Sequence, residues 1–309
     1  MPRSKKAAPP RRTIAAAVAL VLVAIGVATT LWLWTDRPSR PPPRPRPEAA
    51  APPAIAALPP ASSQVEAPST PAWRRHAVAA PEAHGRPRIA IVIDDLGLDR
   101  KRALQAIELP GPLTLSLMSY ARNLDELAAL ARLRGHELML HVPMEPVSRA
   151  DDPGPQALRL ELEAEEFLRR LSWHLDRLDF YVGINNHMGS RLTADAWAMT
   201  MVADALRTRG LLLVDSRTAG ASVAAEIARS RGVPSLGRDV FLDDIDDSQA
   251  IHRQLEETER IARRHGQAIA IGHPRDRTLA ALGPWLAAVP AKGLVLSPVS
   301  SLIRDKNGP

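Results

Sequence analysis

IAIVIDDL, residues 89 to 96, is an apolar, β-branched run that ends abruptly in the adjacent carboxylates Asp94 and Asp95. Such a run reads as a strand buried on both faces, the kind found in parallel sheets, and it must stop where charge begins. The charge therefore sits at the strand's C-terminal end. In α/β folds that end carries the active site, because the loops leaving the strands converge there around a rigid sheet. Two carboxylates at that place point to metal or proton chemistry, although either could equally cap the helix that follows.

Outward from this strand, further strand-like runs alternate with helical patterns: Leu113 to Met118, Glu137 to Val142, Tyr181 to His187, Leu211 to Asp215, Val240 to Asp243, Ala268 to His273 and Leu294 to Ser297. The intervening stretches LDELAALARLRG and TADAWAMTMVADALRTRG have helical periodicity and close near a glycine, as helix C-termini often do. Repeated βα units imply a mainly parallel sheet with right-handed crossovers. The expected fold is a single α/β domain over residues 88–309, an incomplete or distorted (β/α) barrel of seven to eight mainly parallel strands. No Gly-rich phosphate loop follows the first strand, which argues against a nucleotide cofactor.

Polar residues recur where the other strands end. The third ends at His141, the fourth runs into Asn185-Asn186-His187, the fifth ends at Asp215 and the seventh at His273. In a barrel these positions face one another across the top. An Asp with two His is a common oxygen and nitrogen set for a divalent ion with a position left open for water or substrate. Each also has a structural reading: a lone His as a hydrogen-bonded strand end, Asp215 to Thr218 as a turn closed by an Asx bond, and Asp243, Asp244, Asp246 and Asp247 as a solvated loop or helix start. Trp173 and Trp197 fall in helical patterns and are expected to serve packing. There is no cysteine, so any metal must be held by His, Asp or Glu.

The chain carries a formal charge of +6, unevenly spread. Residues 1–87 hold 12 Lys/Arg against 4 Asp/Glu, leaving 28 against 30 in residues 88–309, so the folded part is slightly acidic and nucleic-acid binding is not expected. Residues 1–13 form a basic tail, and Ile14 to Trp34 is an uncharged run long enough to span a bilayer, ending in Trp32 and Trp34 at interfacial positions. The positive-inside rule keeps the tail cytoplasmic. This predicts an inner-membrane, single-pass anchor, with a cleaved signal peptide as the alternative, and a globular domain in the periplasm. Residues 35–87, within a region that holds 17 of the 29 prolines, read as a disordered, semi-rigid Pro/Ala/Arg-rich linker.

Four segments together resemble the divergent polysaccharide deacetylases, a branch of the carbohydrate esterase deacetylases, over roughly Arg88 to Ile303. Ile93-Asp94-Asp95 resembles the first motif of that family, Gly135 to Pro146 (GHELMLHVPMEP) the second, and Ile271-Gly272-His273-Pro274 the late strand bearing a catalytic His. Asn186-His187-Met188-Gly189-Ser190 is similar to a segment of the divergent branch. The resemblance implies Asp94 as base, Asp95 and His141 as metal ligands, and His273 as catalytic acid. Glu145 stands where the motif has a second His. Either His187 supplies the third ligand or Glu145 does, and the latter would make the site harder and more negative.

What the resemblance implies is a hydrolase that removes acetyl groups from an N-acetylated glycan, using one divalent ion, zinc being the one expected. Asp215 would orient a His or contact a sugar hydroxyl, and Asn186 is a further metal or substrate candidate. Peptidoglycan is the nearest abundant N-acetylated polymer for an envelope domain. The rival reading is a catalytically degenerate module that holds glycan or a protein partner. A glycoside hydrolase ranks last, because the adjacent Asp94 and Asp95 do not flank one bond at the separation such enzymes need.

Overall fold

The structure, a computed structural model, describes residues 70–303. Its first long strand, β1 (Arg88–Leu96), is buried from Ile89 to Asp94 and pairs with parallel neighbours on both sides. Around it lie β2 (Thr114–Met118), β3 (Glu137–Met144), β4 (Gly183–Met188), β5 (Leu212–Asp215), β6 (Ser235–Gly237), β7 (Val240–Phe241), β8 (Gln267–Gly272) and β9 (Val295–Leu296). The sheet order is β6-β5-β4-β3-β2-β1-β8-β7, with β9 pairing β1, and the pairings are parallel. The sheet curls into an open barrel, as the βα alternation predicts.

The seam has a detail the sequence hid. Strands β6 and β7 are separated by two residues, Arg238 and Asp239, yet they stand at opposite ends of the sheet. One extended segment therefore leaves β5 and joins β8, drawing the two edges together. Arg238 N donates to Asp215 O at 2.9 Å and Asp239 N to Ile269 O at 2.9 Å, one bond to each side. A three-residue strand with a single glycine-bounded leucine carries too little pattern to be read as β6 beforehand.

Side chains sort by the two-residue strand period. Ile89, Ile91 and Ile93 join the larger core shared with the surrounding helices, whereas Ala90 and Val92 face an inner cluster with Met139, Val182, Leu212, Val214, Ile269 and Ile271. Fully burying an Ile or Val of this kind contributes about 1.5–3 kcal/mol. The helices that cover the sheet are α2 (Arg100–Ile107), α3 (Leu124–Leu133), α4 (Ala164–Leu175), α5 (Ala196–Arg209), α6 (Ala224–Ser230), α7 (Ser248–His265) and α8 (Asp276–Ala288); α1 (Ala72–Arg75) precedes β1. Asp99, Asp195 and Asp247 cap α2, α5 and α7 by accepting from the third residue on. Gly183 has no side chain because a Cβ there would lie 2.1 Å from Leu212 O, in the neighbouring strand.

The N-terminal boundary differs from the expected one. Residues 70–87, read as linker, are partly packed on the domain: Ala72 is buried, Trp73 packs against the inner cluster, and Trp73 N donates to Gly210 O at 2.9 Å. An apolar Ala-Trp pair inside a proline-rich stretch finds burial that its neighbours cannot. The remaining linker, the basic tail and the anchor at residues 14–34 lie outside the described residues. Among the described residues no helix is long and apolar enough to cross a membrane.

Two buried polar groups tie the ends of the barrel. Glu137 accepts from Thr114 Oγ1 at 3.2 Å, from Ser300 N at 3.0 Å and from the Ser300 hydroxyl, fixing the C-terminal turn whose Val299 and Leu302 join the inner cluster. His174, fully buried on α4, has Nε2 3.0 Å from Gln156 O and Nδ1 2.7 Å from Ser119 Oγ, pinning the long β3–α4 loop to the exit of β2. Burial pushes the His174 pKa down to about 4. Its folded value lies below the unfolded one near 6.5, so its contribution is present above that pH and is lost as pH falls toward 4. Acidification from pH 7 to 4 should remove about 3 kcal/mol through this group. Urea unfolding of wild type and His174→Gln across that range checks it: the variant should lack this part of the acid sensitivity.

Candidate metal and acid–base site

The inward phase of the strands ends in polar groups at the C-terminal rim. Asp94 follows Ala90 and Val92, His141 follows Met139, Asn185 and His187 follow Gly183, and His273 follows Ile269 and Ile271. Asp94, His141, His187 and His273 line one cavity of about 610 Å³ together with Asp95, Asn186, Ser216, Arg217, Arg238, Phe241 and Asp244, and Asn185 lies buried beneath them. Adjacent residues of a regular strand point to opposite faces, so Asp94 and Asp95 could not both enter it from an undistorted β1. The β1–β2 register shifts between Ile93 and Leu96, and Asp95 takes the left-handed conformation with φ 57°. Asp is among the residues that tolerate it, and the turn swings the second carboxylate into the cavity.

Ligand atoms of Asp95, His141 and His187 lie within 4.8 Å of one another. His187 Nδ1 is 2.9 Å and His141 Nε2 3.3 Å from Asp95 Oδ1. Neither is aligned as a donor, and this buried oxygen is left without a hydrogen bond. An orphaned carboxylate oxygen facing two imidazole nitrogens fits a divalent cation, and the N₂O donor set without thiolate suits zinc or a neighbouring transition ion. In the ion-free geometry burial opposes ionisation of Asp95, but the two rings outweigh it and hold its carboxyl well below the usual range. Burial likewise opposes the cation at His141, yet Asp94 and Asp95 hold its pKa up at about 9. A proton on His141 thus occupies the place a cation would take.

Asn185 connects this set to Asp94. Its Nδ2 donates to Asp94 Oδ1 at 2.8 Å and lies 3.2 Å from Ser216 Oγ, while its Oδ1 is 2.8 Å from His141 Nδ1 and accepts from Ser116 Oγ at 2.5 Å. An ionised Asp94 cannot donate, so the amide must face it and the carbonyl must face His141. His141 therefore donates from Nδ1 and keeps Nε2 for a ligand bond. Burial raises the Asp94 carboxyl above its ordinary value despite the nearby imidazoles of His141 and His273.

Across the cavity, His273 Nδ1 donates to Asp243 Oδ1 at 2.9 Å, and Asp243 Oδ2 accepts from His273 N and Thr278 Oγ1, both at 2.8 Å. His273 Nε2 faces Asp95 Oδ2 at 3.8 Å. Burial opposes the His273 cation, but Asp243, then Asp95 and Asp94, raise its pKa. Asp243 is fully buried, so it is not part of a solvated loop as its acidic neighbours suggested. The inward alternation from Phe241 was the signal that could have singled it out.

Three expected residues play other parts. Glu145 is buried with Oε1 2.6 Å from Arg191 Nη1 and Oε2 accepting from Leu160 N at 2.7 Å, so its carboxylate is spoken for by a loop clamp and not by the candidate ligand set. Strand β3 ends at Met144, and the chain turns Glu145 toward the segment at Leu158. Asp215 orients no His: it shares the outward phase of Leu213 and accepts from Arg217 N and Ser222 Oγ, each at 2.8 Å, the Asx-closed turn. Asn186 borders the cavity, but its amide is used by Ser216 N and Met188 O, which makes it a staple between the β4 and β5 exits. Trp173 and Trp197 lie outside the cavity lining; Trp197 packs edge-on against Phe167.

Residues 91–303 match the family described as divergent polysaccharide deacetylase, and the chain belongs to that family. An uncharacterised protein of Haemophilus influenzae is 38% identical over 205 residues, covering 66% of this chain and 72% of that protein. The uncharacterised protein YibQ of Escherichia coli is 34% identical over 218 residues, covering 71% and 68%. A crystal structure of an uncharacterised protein from Agrobacterium tumefaciens superposes with a TM-score of 0.73 at 31% identity, covering 75% of this chain and 95% of that one.

If Asp95, His141 and His187 form the ligand set, alanine at any of them should weaken zinc binding by more than the roughly 10–100-fold typical of a lost outer partner. Glu145→Gln should leave stoichiometry and affinity in place. Calorimetric titration of chelator-treated protein measures this, and loss of zinc in a folded Glu145→Gln variant would return the third ligand to Glu145.

Proposed function

We propose that the chain is a metal-dependent hydrolase that removes acetyl groups from an N-acetylated glycan. The observation that carries this reading is the convergence on one cavity of a three-residue ligand set, a buried carboxylate and a carboxylate-paired imidazole, in a member of the deacetylase family. Asp95, His141 and His187 would hold the ion, with zinc suited to the donors. When bound, it supplies Lewis acidity to an amide carbonyl and an attacking water.

The chain's own residues supply the proton movements. Asp94, ionised and held by Asn185 Nδ2, takes the proton of the attacking water; its raised pKa makes it a stronger base than an exposed carboxylate. His273, whose pKa Asp243 raises against burial, presents Nε2 to the cavity and, when protonated, donates to the leaving nitrogen. The two groups need opposite protonation states, and their surroundings support this: an amide and imidazoles around Asp94, a triply hydrogen-bonded carboxylate behind His273. Asn185 is the positioning residue between base and ligand. Placement in the envelope on a single-pass anchor at residues 14–34, with peptidoglycan as the glycan, rests on the sequence alone.

The test is acetate release from chitooligosaccharides and peptidoglycan by the zinc-loaded chain. Asp94→Asn and His273→Gln should each lower turnover by about 10²–10⁴-fold with metal content retained. Asn185→Ala should lower both turnover and zinc affinity, the latter by roughly 10–100-fold, because it releases the base and the ligand tautomer together. Zinc-loaded protein that binds glycan and releases no acetate from any of these polymers would overturn hydrolysis in favour of a binding module.

A further inference from the structure

The wall of the cavity formed by the β5 and β6 exits is cationic. Strand β5 ends in Asp215-Ser216-Arg217-Thr218, and the Asx bond from Arg217 N to Asp215 Oδ1 puts Arg217 in the left-handed region at φ 48°. Its side chain lies across Gly237: a Cβ at that glycine would stand 2.7 Å from Arg217 Nε and 3.0 Å from Nη2. Arg238, at the barrel seam, donates from Nε to Ser216 O at 2.6 Å and from Nη2 to Arg217 O at 2.8 Å, and its guanidinium carbon sits 4.5 Å over the Phe241 ring. Both arginines are thus set by the backbone around them. Arg217 is exposed at the cavity rim and Arg238 half-buried, and the left-handed backbone of Arg217 with the bare Gly237 beside it fixes where the Arg217 side chain lies.

Neither arginine has an ion-pair partner among the described residues, whereas Arg191, Arg209 and Arg231 each hold a carboxylate. Among the described residues Arg238 uses Nε and Nη2 on carbonyls and shows no bond from Nη1, and the Arg217 guanidinium shows no hydrogen bond. Burial lowers the Arg238 pKa and the charge of Arg217 adds to this, while Asp94 and Asp244 act against it. Asp244 is the one lining carboxylate outside the Asp94–Asp95 pair, and it pairs with neither arginine. Two adjacent guanidiniums with unused planar donors match a carboxylate or phosphate. A 610 Å³ cavity lies within the range that encloses a small ligand, so one molecule can address both walls.

We infer that Arg217 and Arg238 bind an anionic substituent, a carboxylate or a phosphate ester, of an N-acylated sugar whose acyl group reaches the Asp95–His141–His187 side, making acidic glycans the preferred ligands. This rests on the deacetylase reading for its N-acyl group. Binding and hydrolysis nevertheless fail separately. The full-length, zinc-loaded chain is titrated with three disaccharides of like size: neutral N,N′-diacetylchitobiose, one containing N-acetylmuramic acid, and one carrying a 6-phosphate. The acidic ligand should bind about ten-fold or more tightly than the neutral one at low salt, with the margin shrinking as salt rises. Arg217→Gln should remove that margin and Arg217→Lys should keep part of it, because the charge survives without the fork.

The arm that shows the margin identifies carboxylate or phosphate. Equal binding of all three ligands, or a margin that survives Arg217→Gln, overturns the inference and leaves acetate release from neutral oligomers as a separate matter. A margin lost in Arg217→Gln without acetate release from any ligand upholds the anion site and removes the hydrolase reading. Circular dichroism and thermal unfolding of both variants confirm that a lost margin reflects the site and not the fold.

Discussion

The site depends on one constraint, the two-residue period of strands in a curled parallel sheet. On β1, β5 and β8 the phase that faces inward is apolar at depth and becomes polar at the rim, Ala90, Val92, then Asp94; Leu212, Val214, then Ser216; Ile269, Ile271, then His273, and on β3 Met139 precedes His141 in the same way. The apolar layers close the barrel from below, and Val299 and Leu302 of the last turn join them. The polar layer is thereby exposed to solvent from one side and buried on the other. Charges in such a layer are stable only when they answer one another, and the network through Asn185 does this: each of its polar atoms meets a complementary one on β1, β2, β3 or the β5 exit.

A regular sheet cannot supply the whole ligand set, and the departure from regularity is local. Asp95 belongs to the wrong phase of β1 and enters the cavity through a register shift and a left-handed backbone, a conformation that costs of order 1–3 kcal/mol. The carboxylate oxygen it delivers has no hydrogen-bond donor. Strain and an unsatisfied buried oxygen at the same residue are costs to folding, partly offset by the His141 and His187 imidazoles that face the carboxylate. The same combination of forced backbone and unused polar atoms marks Arg217 on the opposite wall.

Much of this was legible beforehand. The eight expected strands have observed counterparts, because long β-branched runs between helical patterns leave few alternatives, and Asp94, Asp95, His141, His187 and His273 do meet in one cavity. What escaped were residues whose role depends on phase or on a neighbour. Asp215 ends a strand as conspicuously as His273 does, yet it is one residue out of phase with the inner face. Asp243 was hidden in an acidic cluster, where charge density suggests solvent. Asn185 is uncharged and was overshadowed by Asn186 beside it, though it is Asn185 that shares a face with His187. The early start of the folded body at residue 70 turned on Trp73, a single aromatic residue in a proline-rich context.

Glu145 shows how a sheet could preserve the proposed donor set while a motif position changes. A ligand four residues after His141 on the same strand would have to reach back along β3, and here that position has left the strand to bind Arg191. In the β3–β4 register His141 lies beside Asn185 and Pro143 beside His187. Neighbouring strands are about 4.8 Å apart, so His187 approaches from the side the same region above His141 that a residue further along β3 would approach from its end. The proline at 143 leaves the space next to His187 free of a competing polar group. With Glu145 turned away, the candidate set proposed for the ion, Asp95, His141 and His187, would still number two nitrogen donors and one oxygen donor, the nitrogen coming from the neighbouring strand, and that count would keep the charge balance the proposed base and acid need.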